Sequence, residues 1–170
     1  MPSTIHGTAA PGSTTARRVA IAISPFTPGF EPVGDPAEAV SRRNAEVVRR
    51  YLRVFETKEV AEFEELVAED VLVHGAGIHA RGRHYPEGAV LTPGLSDCRV
   101  RVDDLFAAGD RVTVAFTLTY TQDRTGRDLT MTGVKSYRLR DGRIVEFWGE
   151  TDLYGLLRQA GLVPEQIPPL

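Results

Sequence analysis

The stretch Gly109-Asp110-Arg111-Val112-Thr113-Val114-Ala115-Phe116-Thr117-Leu118-Thr119-Tyr120-Thr121 decides the fold. Side chains of a strand alternate between its two faces, so Val112, Val114, Phe116, Leu118 and Tyr120 share one side while Thr113, Ala115, Thr117 and Thr119 share the other. One side is oily and the other small and mildly polar, as in a strand with one face on a core. Its neighbours follow the same rhythm. Arg99–Leu105 precedes it, Leu129–Leu139 and Arg143–Asp152 follow, and only Gly109-Asp110, Asp123 to Gly126 and Asp141-Gly142 separate these segments. Connections this short join antiparallel neighbours, because a parallel crossover needs a dozen or more residues. The last third of the chain therefore predicts an antiparallel meander.

Upstream the period changes from 2 to 3.6. Val47, Val48, Tyr51, Leu52, Val54 and Phe55 form an apolar stripe interrupted by Arg43, Arg49, Arg50 and Arg53, which predicts an amphipathic helix over 37–57. After a break at Thr57-Lys58-Glu59, Val60, Phe63, Leu66 and Val67 recur at helical spacing up to Ala68. Asp70-Val71-Leu72-Val73-His74 reads as a strand ended by Gly75-Ala76-Gly77. In 78–97, Pro86, Gly88, Pro93 and Gly94 would interrupt any long helix. A solvated loop carrying His79, Arg81, His84 and Tyr85 is expected there, with a pocket mouth or lid as the functional alternative. At the other end, Leu153 to Ala160 predicts a short helix whose Leu156 and Leu157 pack back and which Gly161 stops. Helices followed by a meander describe an α+β fold in which helices cover one side of a curved antiparallel sheet.

The chain has 170 residues, 42% hydrophobic and 25% charged, enough for one domain with a core. Residues 1–40, rich in Gly, Pro, Ser, Thr and Ala, read as a flexible or docking arm with one β-prone patch, Val19 to Ile23; 41–170 is the domain. A net charge of −3 gives no footprint for a polyanion, so nucleic acid is excluded as a partner. The single Cys98 cannot form an intramolecular disulfide, and the histidines show no zinc spacing, so no metal is expected. No apolar run is long enough to span a membrane, and the patch after Arg17-Arg18 is too short for a secretion signal. A reducing cytoplasm is the expected compartment.

Four motifs stand in order: Val47-Val48-Arg49-Arg50-Tyr51-Leu52; Ala68-Glu69-Asp70-Val71-Leu72-Val73-His74; Gly109-Asp110-Arg111-Val112; and Asp141-Gly142-Arg143-Ile144-Val145-Glu146-Phe147-Trp148. With the ending Asp152-Leu153-Tyr154-Gly155-Leu156-Leu157, residues 40–162 resemble the SnoaL-like polyketide cyclases of the nuclear-transport-factor-2-like superfamily. The resemblance implies a cone-shaped curved sheet with the N-terminal helices packed in its concavity around an apolar pocket, acid/base chemistry without a cofactor, and a homodimer. The same scaffold serves cyclases, isomerases, hydrolases, dehydratases and silent binders.

Ile144, Glu146, Trp148, Glu150 and Asp152 share one parity on the last strand, so carboxylates and the only tryptophan gather on one side. The resemblance implies that Asp152 is the general acid/base, with Glu150 the next carboxylate along; an N-cap of the terminal helix is the alternative for Asp152. Many relatives carry Trp-Asp where this chain has Trp148-Gly149. His74 matches a histidine of several relatives and could relay a proton, or could simply bond backbone at a strand end. The general base of ketosteroid isomerases would fall at Gly75, which disfavours their reaction, and only the donor survives, as Tyr51. Trp148, Phe55, Phe116, Tyr137, Tyr85 and His84 are expected around the substrate. Lys135 shares a parity with Tyr137 and reads as a surface lysine, or as a partner for a carboxylate inside the cone.

The function these residues suggest is a cofactor-free polyketide cyclase-type enzyme of secondary metabolism, such as antibiotic biosynthesis. It would abstract a proton alpha to a carbonyl, stabilise the enolate and close a ring in a small polyketide-like substrate. An epoxide hydrolase, for which Arg101 with Asp103 is the pair to inspect, or a non-catalytic binding or oligomerisation module are the alternatives. They differ in whether Asp152, His74 and Tyr51 converge on one cavity.

Overall fold

A computed structural model of the chain describes residues 36–164 apart from Ala76 and Leu91. Most of the expected arm, including Val19 to Ile23, lies outside the described residues. Helix α1 (Pro36–Thr57) opens with Pro36 and Glu38 in its first turn, where a missing N–H and a negative charge are both tolerated. It buries Val48, Tyr51, Leu52, Val54 and Phe55 and turns its arginines outward. Helix α2 (Val60–Leu66) follows and runs directly into β1 (Val67–Gly75). Arg50 joins α1 to α2 through Glu62 at 2.9 Å, a partly exposed contact worth a fraction of a kcal/mol.

Residues 78–97 are more ordered than their prolines and glycines suggest. They form β2 (Ile78–Arg81), a hairpin partner of β1, and α3 (His84–Val90). Pro86 sits in the first turn of α3, where no intrahelical N–H is needed, and Val90 is buried while its carbonyl accepts from Lys58 Nζ at 2.6 Å.

The meander comprises β3 (Leu95–Ala108), β4 (Arg111–Gln122), β5 (Arg127–Arg140) and β6 (Arg143–Thr151), and α4 (Leu153–Gln159) closes the domain. The sheet is curved and unclosed, six-stranded, with order β2-β1-β6-β5-β4-β3. Every pairing is antiparallel except one. β1 lies parallel to β6, so the sheet is mixed, not wholly antiparallel as expected. These two strands are far apart in sequence, and no hairpin constrains their relative direction.

On β4 the alternation holds except at Thr117: Val112, Val114, Phe116, Leu118 and Tyr120 are buried on the concave side beneath α1, while on the other side Thr113, Ala115 and Thr119 are only partly covered and Thr117 is buried, bonded to Asp103. On β6 the expected shared parity breaks. Arg138 pairs with Glu146, but Leu139 pairs with Ile144, so Val145 is an extra residue in a bulge. Ile144 is buried in the core, whereas Glu146, Trp148 and Glu150 point to the outer face and Phe147, Gly149 and Thr151 to the inner one. Each fully buried core side chain of this kind contributes roughly 1.5–3 kcal/mol. Among the described residues, no helix is long and apolar enough to cross a membrane.

Candidate active site

The concave face of β4, β5 and β6, together with α1, α3 and α4, encloses a space of about 220 Å³. Leu52, Phe55, Phe116, Leu118, Tyr120 and Leu156 are among the residues of its largely apolar wall. A second space of about 160 Å³ adjoins it on the side of β1 and α3, and Ala89, Lys135 and Thr151 border both. Among the described residues that line these spaces none is an aspartate or glutamate.

Lys135 is the cation at their junction. It projects from the inner face of β5 opposite Gly149 of β6 and Val114 of β4. Its side chain lies across Gly149: a Cβ there would overlap Lys135 Cγ and come within 2.8 Å of the Val134 carbonyl oxygen. Gly75 makes a similar close approach, since with φ +125° a Cβ on it would overlap the Gly149 carbonyl. The Lys135 amine stands 5.4 Å from the Phe147 ring centre and 5.8 Å from that of Phe116. The side chain is half-buried, and among the described residues the amine has no hydrogen-bond acceptor and no carboxylate. Burial lowers its pKa from the usual lysine range to about 8, because the charged form loses hydration and gains no counter-ion.

Tyr137, two residues further along β5 on the same face, is fully buried, and its hydroxyl is the one buried side-chain polar atom among the described residues without a hydrogen-bond partner. Its ring meets that of Tyr51 edge-on at 5.6 Å and that of Phe147 at 5.8 Å. Burial pushes both phenols up, that of Tyr137 assisted by Tyr51, so each keeps its proton and remains a donor.

The expected site residues divide between the two sides of the sheet. Tyr51, Phe55, Phe116, Tyr137 and Tyr85 line the enclosed spaces. Trp148 does not: it lies on the outer face, stacked on His74 at 4.9 Å with Arg111 and Arg138 against its ring. His74 borders the smaller space where β1 ends, but its ring nitrogens go to Glu146 at 3.0 Å and His79 at 3.2 Å. Glu146 also accepts from Arg138 at 2.7 Å. Glu150 is exposed on the outer face. His84 is exposed and packs on Tyr85.

Asp152 is likewise exposed. It accepts the Gly155 N–H at 2.7 Å as the N-cap of α4, and a Cβ at Gly155 would overlap its carboxylate. Asp152, His74 and Tyr51 thus do not converge. Arg101 and Asp103 form an ion pair on the outer side of β3, where Asp103 also accepts from Thr117 at 2.6 Å. Those two bonds hold the Asp103 carboxyl below the usual range, and no matching second aspartate faces the cavity. No group of three potential ligands is placed to hold a metal among the described residues.

Lys135 was legible only in part. Its parity with Tyr137 was plain, but the glycine facing it across the strand pair is what makes room for it, and that pairing needs the register.

The fold and this apolar, few-handed pocket define a class of small α+β cone proteins. A family model described as the SnoaL-like domain matches residues 48–147, and the chain belongs to that family, within the nuclear-transport-factor-2-like superfamily. IdmH from Streptomyces antibioticus, provisionally described as a polyketide cyclase, is 27% identical, with a TM-score of 0.61 over 69% of this chain and 98% of its own. A protein of Jannaschia sp. CCS1, provisionally described as a SnoaL-like polyketide cyclase, is 22% identical with a TM-score of 0.64, covering 77% of this chain and all of its own. An epoxide hydrolase of the LEH-like type from M. tuberculosis shares the fold at 16% identity, with a TM-score of 0.59 over 71% of this chain and 94% of its own. No curated protein matches the sequence.

Proposed function

We propose that the protein is an enzyme of the polyketide-cyclase type that holds a small apolar carbonyl compound in the cone and closes a ring through proton transfer alpha to its carbonyl. The observation that carries this reading is the unpaired Lys135 amine in a cavity whose described walls bear no carboxylate. With its pKa near 8, roughly one amine in ten is neutral at pH 7, enough for a general base whose conjugate acid is matched to the medium. Tyr137, and Tyr51 beside it, supply protonated hydroxyls for an oxygen that becomes negative as the enolate forms. The apolar wall supports a folded substrate conformation, and proximity of the reacting carbons lowers the barrier further.

This assignment puts the acid/base role on Lys135 in place of Asp152. Incubation with linear and partly cyclised polyketide esters, followed by mass spectrometry, tests it. Lys135→Met should lose nearly all turnover, and Asp152→Asn should keep it. The opposite pattern would return the role to Asp152.

We further propose a homodimer through the outer face of the sheet, where Val134 is 54% exposed beside Thr132 and Ala115, with the carboxylates of Asp103, Glu150 and Asp152 bordering the same groove. A monomer in sedimentation at tens of micromolar would refute it.

A further inference from the structure

The geometry points to covalent catalysis by Lys135, its amine condensing with a ketone or aldehyde of the substrate and carrying it through ring closure as an iminium and then an enamine. This rests on the reading of the cone as an active site for a carbonyl compound.

The choice of residue is the first support. Lys58 and Lys135 are the chain's two lysines, against 18 arginines, so nearly all fixed positive charge here is guanidinium. Arginine stays protonated, whereas a buried lysine readily releases its proton and becomes a nucleophile. Lys58 has a structural task, donating to the Val90 carbonyl at 2.6 Å. Lys135 has no acceptor among the described residues.

Its placement is the second support. The stem is held over Gly149 on a strand paired on both sides, and the amine is aimed into the space between Phe116 and Phe147. Such walls favour the neutral amine, and the half-buried side chain leaves a path for the water that hydrolyses the iminium at the end of the cycle. Tyr137 stands on the same strand face with an unbonded hydroxyl, a donor for the oxygen that must leave.

The steps balance without an oxidant or reductant. The amine lone pair forms a C–N bond to the carbonyl carbon while the C=O π pair moves to oxygen. That oxygen takes a proton through the Tyr137 hydroxyl, and the nitrogen releases one to solvent. The carbinolamine then loses water, taking up a proton, to give the iminium. Loss of an alpha proton yields the enamine, whose carbon attacks a second carbonyl of the same molecule. A C–C bond forms and the new alkoxide is protonated. Water hydrolyses the resulting iminium, restoring the first carbonyl and the free amine.

The test uses the full chain with acetylacetone, whose enaminone with a neutral amine absorbs in the near ultraviolet, and with cyclohexanone followed by borohydride. Intact mass and peptide mapping locate the adduct. One adduct per chain at Lys135 is expected, absent in Lys135→Met and in Lys135→Arg, which keeps the charge. Its rate should rise with pH through a midpoint near 8. The other titratable groups facing this space are Tyr51 of α1, Tyr85 of α3, Tyr120 of β4, Tyr137 of β5 and His74 at the end of β1. Gly149→Ala should slow labelling at least tenfold by displacing the stem.

Labelling confined to Lys58 or the N-terminal amine overturns the inference. So does the absence of any adduct when Lys135→Met abolishes turnover, and in that case Lys135 is a base only and the proposed function stands. Full turnover in Lys135→Met overturns both.

Discussion

The two faces of the sheet around β5 and β6 carry polar side chains close to one another, and they treat them in opposite ways. Outside, His74, His79, Glu146 and Arg138 bond to each other, and Trp148 is covered by the His74 ring and two guanidinium groups. Inside, the Lys135 amine and the Tyr137 hydroxyl have no bonding partner among the described residues. A satisfied cluster rigidifies a surface, and an unsatisfied group in an apolar space raises the energy of the fold. On the proposed function, the difference separates residues that hold the sheet from residues that would serve a ligand.

The largest effects should come from the inner face. Lys135→Met should lower turnover by two to four powers of ten, about the full contribution of a general acid/base or nucleophile. It should also stabilise the fold. The folded-state pKa of Lys135 lies below its unfolded value, so the folded protein binds the proton less well and carries the penalty in full below about pH 8. Removing the amine should therefore raise stability at pH 7 by up to about 3 kcal/mol, and the gain should shrink as pH rises from about 8 to above 10. Urea unfolding of both proteins at several pH values measures this; a variant less stable at pH 7 would place Lys135 among the structural residues. Tyr137→Phe removes a hydroxyl with no partner, so turnover should fall by roughly 10-fold to 1,000-fold, as for loss of an oxyanion donor, with melting temperature unchanged or higher.

The outer face should respond in the reverse sense. Glu146→Ala strands Arg138 and His74 and should cost about 1–3 kcal/mol in denaturant unfolding, with turnover within about twofold of the parent. A large loss of activity without a loss of stability would move chemistry to the outer cluster. The smallest effect belongs to Asp152→Ala, which should cost about 1 kcal/mol through the lost cap of α4, while Asp152→Asn, still a good cap, should cost less. Thermal melts of the pair distinguish a cap from a catalytic group.

Much of the fold was readable because strand and helix periods follow from covalent geometry alone. Val112 to Tyr120 alternate wherever the strand is placed, Val47 to Phe55 form one stripe on any helix, and Gly161, at φ +72°, ends α4 as its type suggests. Residues 78–97 were misread because Pro86 interrupts a helix only beyond its first turn.

The site was less legible. Tyr51, Phe55, Phe116 and Tyr137 could be placed near a pocket because aromatic side chains on buried faces have few other places to go, whereas Tyr85, exposed on α3, borders the smaller space only through the fold of 78–97. The last strand could not be assigned to a face from its alternation, since one bulged residue, Val145, reverses the direction of everything after it. That reversal puts Glu146, Trp148 and Glu150 outside and sets Gly149 beneath Lys135.

The residues alone settled the order of elements outside 78–97, the oily side of β4 and membership in a family of cones, all local or pattern-level properties. Only the tertiary structure decided that β1 runs parallel to β6, that Asp152 caps a helix and that a lysine occupies the cavity. Those outcomes depend on pairing between strands distant in sequence, and a side chain's chemistry depends on what desolvates it and what it can bond.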